Sequence, residues 1–110
     1  MATTKVPRDR LLQYFDAFSK RYLADDAPET IDIELLDRDL GDQQVVRATR
    51  LVGITYDRQA NTLEFALESG DHRVVEPEEV WVEEEDDGFV SAIEVVRPGG
   101  AREIVNLSRA

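Results

Sequence analysis

The amino-acid sequence predicts an α+β fold, with one N-terminal amphipathic helix over about 8–23 and then a six- to seven-stranded, mostly antiparallel sheet, strongly bent or curled into a small open barrel. Three observations carry this. Apolar residues recur at helical spacing only near the start, at Leu11, Phe15, Phe18 and Tyr22. From Thr30 onward they alternate with polar residues at period two, in segments bounded by Gly, Pro, Asn and Asp. The last two connections are short, which makes neighbouring strands antiparallel and the order that of a meander. Strong bending, with the helix over the apolar face or one open end, hides the edges such a sheet would leave.

The helix is read from Pro7, which suits a first turn, Asp9 at its positive end, and Lys20 and Arg21 near its negative end. Asp25, Asp26, Ala27 and Pro28 then break it. Strands are predicted over about 30–36, 44–56, 62–68, 72–76, 79–84, 89–96 and 102–107. The centre of the pattern is the hairpin at 51–67. Val52, Ile54 and Tyr56 fall on one side of the outgoing strand, and Leu63, Phe65 and Leu67 do the same on the return. Thr55, Asp57, Thr62, Glu64 and Glu68 form the wet face. Asp57 and Asn61 suit the turn, Asp57 as an Asx-type start and Asn61 as a residue that tolerates the left-handed region. Residues 43–56 read either as one long bent strand or as two, with Gly53 as the place for a bulge or a close approach. Further on, Phe89, Ser91, Ile93 and Val95 share one face and Val90, Ala92, Glu94 and Val96 the other; apolar residues on both mark a central strand.

With 110 residues the chain is read as a single domain, and without cysteine it has neither disulfides nor thiolate-bound zinc. No apolar run reaches signal or membrane length, so a cytoplasmic protein without membrane contact is expected. The formal charge is −11, and it is uneven: residues 1–55 carry 10 acids and 8 bases, residues 56–110 carry 14 and 5. A surface of this sign repels nucleic acid and favours basic proteins.

Eight acids fall within the twelve residues EPEEVWVEEEDD at 76–87. The run lacks the alternation and glycine of a calcium loop, so neither a metal nor a cofactor is expected. It reads as a solvated strand edge and turn, or as a docking patch in which Trp81, Glu83, Glu84, Glu85, Asp86 and Asp87 meet a basic protein partner. Trp81 is placed opposite the Val80 and Val82 face and is therefore the candidate for exposure. The function this suggests is a non-enzymatic acidic binding or regulatory module, monomeric or paired through an edge strand. The alternative is a small hydrolase or metal-dependent enzyme using Asp57, Asp71 and His72, which requires the three to converge. Adjacent strand residues face opposite ways, so Asp71 is not the natural orienter of His72, and no catalytic residue is assigned.

The phrases LLQYFDAFSK, LGDQ, GITYD, DHRVVEPEEVWVEE and AIEVVRPGGAREIVNL, taken in that order, resemble a family of small uncharacterised bacterial proteins known as a domain of unknown function. The likeness runs from about Arg8 to Leu107 and implies one domain. It implies no activity for any residue.

Overall fold

The computed structural model describes residues 2–23, 29–37 and 41–109; the expected helix break at 25–28 and part of the loop before Gly41 lie outside them. Its elements are β1 (Ala2–Val6), a 3₁₀ turn (Arg8–Arg10), α1 (Leu11–Leu23), β2 (Glu29–Asp37), β3 (Gly41–Asp57), β4 (Thr62–Leu67), β5 (His72–Val75), β6 (Glu79–Glu84), β7 (Val90–Val96) and β8 (Arg102–Arg109). The described strands form one eight-stranded sheet in the order β1-β6-β7-β8-β2-β3-β4-β5, antiparallel throughout and not closed.

Two expectations are corrected here. The strand count is eight because Ala2–Val6 pairs with β6, from Ala2 opposite Glu84 to Val6 opposite Val80. An edge strand shows water most of its side chains, so its sequence carries little apolar signal; Thr3, Thr4 and Lys5 are exposed and Val6 is buried. The order is also not a simple meander. Two meanders, β6-β7-β8 and β2-β3-β4-β5, are joined by the pairing of β8 with β2, which sets Glu29 opposite Arg109 and Leu36 opposite Arg102. The helix begins later than expected, since Arg8–Arg10 is a 3₁₀ turn. The Tyr22 side chain lies outside the described residues.

β3 is one strand with two partners. Its first part pairs with β2 and its last seven residues with β4. Register shifts interrupt it three times, and the residues they leave over include Val45 and Val52, which are 45% and 49% exposed. Val52 therefore does not join Ile54 and Tyr56 on the buried side, because an extra residue reverses the phase of a period-two pattern. The bulge falls beside Gly53, as its position suggests. A Cβ there would meet only Ser19 Oγ at 3.7 Å, an ordinary contact. At another shift Ala48 takes φ 44°, and its N–H donates to Asp32 Oδ1 at 2.6 Å.

These bulges fold the β3–β5 end back over the rest. β5 and β8 are four strand spacings apart, about 19 Å in a flat sheet. Yet His72 of β5 touches Glu103 of β8 at 2.5 Å. Between the two layers lie Ile31, Ile33, Val80, Val82, Ile93, Val95 and Val105 from one side and Ile54, Leu63, Phe65 and Val74 from the other, all buried. Val90 also faces inward, contrary to strict alternation, because a register shift opposite Glu83 and Glu84 leaves Ser91 over. β7 is central, as its two apolar faces predict.

The helix seals the remaining gap. Beyond Arg50, β3 has β4 on one side and, among the described residues, no strand on the other, which exposes backbone groups that need partners. Ser19 Oγ supplies them, donating to the Ile54 carbonyl at 2.8 Å and accepting from the Ile54 N–H at 3.0 Å. Phe15 and Phe18 enter the core edge to face at 6.2 Å, and the Tyr14 hydroxyl donates to Glu84 Oε1 at 2.8 Å. One amphipathic rod thus joins β3 to β6.

Candidate functional site: an acidic outer face

Residues opposite one another on neighbouring strands point to the same side of a sheet. The register therefore draws a row across the outer face from Lys5 through Trp81, Glu94, Ile104 and Glu34 to Gln44. A second row runs through Thr3, Glu83, Ala92, Asn106 and Asp32, and a third through Glu79, Val96, Arg102 and Leu36. Five carboxylates from three strands, Asp32, Glu34, Glu79, Glu83 and Glu94, share this face, and none is buried. Of the bases on it, Lys5 pairs with Glu79 at 3.3 Å and Arg102 with Glu94 at 2.9 Å, while Arg50, opposite Thr30, lies at its β3 edge. Trp81 lies half-buried among them, with Lys5 Nζ 6.0 Å from its ring centre. The linear run suggests a patch of Trp81 with Glu83, Glu84, Glu85, Asp86 and Asp87; Asp32, Glu34 and Glu94 come from other strands and cannot be seen in it.

The run itself is divided by the fold. Trp81 and Glu83 are on the outer face, while Val80 and Val82 are buried, so the predicted sidedness holds. Glu84 points the other way and accepts the Tyr14 hydroxyl, which removes it from the patch. Glu85, Asp86 and Asp87 form the exposed β6–β7 tip, closed by Glu85 N–H to the Phe89 carbonyl and Gly88 N–H to the Glu85 carbonyl. Asp87 Oδ1 caps the turn by accepting the Phe89 N–H at 3.1 Å.

Asp57, Asp71 and His72 do not converge. Asp57 is exposed, and its Oδ1 accepts the N–H groups of Gln59 and Ala60, so it caps its own turn. His72 stands opposite buried Phe65 and faces inward, three positions along β4 from the Thr62 that faces Asp57. A cleft of about 330 Å³ beside Asp57 is lined by Thr55, Ala60, Thr62, Glu64 and Arg73, without Asp71 or His72. Arg73 Nε donates to Glu64 at 2.5 Å, and that bond, aided by the charges of Glu64 and Asp71, raises its guanidinium above the ordinary value.

The real partner of His72 is Glu103, which sequence reasoning missed. Its side chain is only 3% exposed; Oε1 meets His72 Nε2 at 2.5 Å and Oε2 lies 3.7 Å from Arg97 Nε. A Glu between Arg102 and Ile104 in a terminal strand looks like any surface acid. The signal was its phase: it stands opposite Val95 and Leu35, both on the inner face.

Two clefts flank the start of the helix. One, of about 390 Å³, lies between β1, α1 and β6 and is lined by Lys5, Arg10, Gln13, Tyr14, Val82 and Glu84 among others. The other, of about 470 Å³, is lined by Arg8, Asp9, Tyr56 and Arg58. Among the described residues no three carboxylates or imidazoles are gathered to hold a metal ion, and no helix is long and apolar enough to cross a membrane.

No solved structure matches the chain. An uncharacterised protein of Aquifex aeolicus (strain VF5) is 36% identical over 111 residues, which span 100% of this chain and 96% of that protein. The family of unknown function DUF5335 matches residues 2–110, so the chain belongs to that family.

Proposed function

We propose that this protein is a non-enzymatic binding module that takes a basic protein partner on the outer face of the β1-β6-β7-β8-β2 part of its sheet. The observation that supports this reading is that Glu79, Glu83 and Glu94 border half-buried Trp81, with Glu34 and Asp32 farther along the same face, and that Lys5 and Arg102 are already paired. A partner bearing lysines and arginines relieves the repulsion among these carboxylates. Trp81 adds an amphipathic anchor beside Glu79, Glu83 and Glu94. Glu85, Asp86 and Asp87 extend the negative field at the rim and speed encounter.

The test is retention on an immobilised basic protein, such as histone or cytochrome c, over a rising salt gradient. Glu34→Gln with Glu83→Gln should elute earlier, and Trp81→Ala should weaken retention without a change in charge. Elution of these variants with the unaltered protein would end the proposal, and so would an equal shift per charge removed on Glu64→Gln, on the β3–β5 part of the sheet, which would assign the effect to net charge.

A further inference from the structure

The bases of this acidic chain are not evenly neutralised. Lys5, Lys20, Arg73, Arg97 and Arg102 all pair with carboxylates, and Arg47 donates twice to Gln44. Arg8, Arg10, Arg50 and Arg58 make no side-chain ion pair or hydrogen bond among the described residues, and three of these four border the clefts at the start of the helix. Arg8 and Arg58 line the same cleft of about 470 Å³.

That pairing comes from two separate devices. The 3₁₀ turn Arg8–Arg10 leads from β1 into α1 and presents Arg8, while the β3–β4 turn presents Arg58 immediately after Asp57, whose carboxylate is spent on the turn's own N–H groups. Tyr56 forms part of the wall and is held in place, with its hydroxyl donating to Asn61 Oδ1 at 2.5 Å. Asp9 is the one carboxylate lining the cleft, against two guanidinium groups.

We infer that the Arg8–Arg58 cleft binds a small molecule through a compact anionic group, a phosphate or a carboxylate. Two arginines facing one space repel each other until an anion lies between them, and the planar guanidinium offers two parallel N–H donors to such a group. The cleft's volume is within the range of small-molecule sites. Its sign is opposite to that of the outer sheet face, so this site is independent of the proposed protein interface. A diffusing anion is repelled by most of the surface and attracted to this cleft.

The test is an amide chemical-shift titration with inorganic phosphate, and separately with succinate, at constant ionic strength. Saturable shifts at Arg8, Asp9, Tyr56 and Arg58 are expected with at least one probe; phosphate alone would indicate a phosphorylated ligand and succinate alone a carboxylate. Arg8→Ala and Arg58→Ala should each weaken binding about tenfold. Arg50→Ala, an equally unpaired arginine six residues from Tyr56 along β3, should leave it unchanged. No saturation with either probe, or an equal loss on Arg50→Ala, would overturn the assignment. If a variant unfolds, the map of shifts in the unaltered protein decides alone.

Discussion

Glu103 and Glu94 are the same residue type on neighbouring strands of one sheet, and their fates are opposite. Glu103 faces the interior, where His72 and Arg97 meet both of its oxygens. Glu94 faces water, where Arg102 reaches one of them. In the first position a carboxylate is tolerable only because it is fully partnered, and it thereby pins β5 to β8. In the second it is solvated, contributes little to stability and is available to another molecule. Facing in or out is decided by phase along the strand, and the phase is set by the bulges and pairings that the whole sheet adopts.

The contrast is best broken at its buried end. Glu103→Ala should cost about 3 kcal/mol in urea unfolding, since it removes the partner of two groups and opens space in the core. Glu103→Gln, which keeps shape and one acceptor, should cost less. Glu94→Gln should shift stability by under about 0.5 kcal/mol. If the two alanine or glutamine variants at 103 were as mild as Glu94→Gln, the buried cluster would not be a structural tie.

Next in size is Ser19→Ala, which leaves the Ile54 N–H and carbonyl without their shared partner. A loss of about 1–2 kcal/mol is expected, with faster hydrogen exchange of the Ile54 amide than of Phe65 across the hairpin. Salt sharpens the same comparison from the outside. Raising NaCl from about 10 to 200 mM screens repulsion on the outer face and should stabilise the protein by roughly 1 kcal/mol, an effect that Glu34→Gln with Glu83→Gln should reduce. Smallest is Val52→Thr, expected within about 0.5 kcal/mol by thermal unfolding because Val52 is a bulge residue in water. A large effect there would mean that the hairpin's phase differs from the one described.

Much of the architecture was legible before any coordinates. Leu11, Phe15 and Phe18 lie on the buried stripe of α1, Ile54, Tyr56, Leu63, Phe65 and Leu67 on the buried side of the hairpin, and Asn61 takes the left-handed conformation assigned to it. The failures share a cause. Alternation puts Val52 inside, gives Phe89, Ser91, Ile93 and Val95 one uninterrupted face, and does not mark Ala2–Val6 as a strand. Each depends on a partner strand far along the chain, and a bulge costs only one residue of phase, which alternation in a single strand cannot reveal. Of the outer face, the alternation that sets Trp81 and Glu83 opposite buried Val80 and Val82 was legible; that Glu84 turns toward Tyr14 was not, and Glu34 and Glu94 come from strands that the linear run does not contain.

What the amino-acid sequence determined by itself is therefore the set of local choices: one amphipathic helix, a series of short alternating strands, polar turns, and an excess of acid. The tertiary structure alone decided that β8 lies against β2, that β3 bends between two partners, that Glu103 meets His72 across a curled sheet, and that scattered carboxylates share one face. Periodicity specifies which side chains avoid water. Which distant strands bury them together depends on the apolar surface and hydrogen bonds of the whole molecule at once.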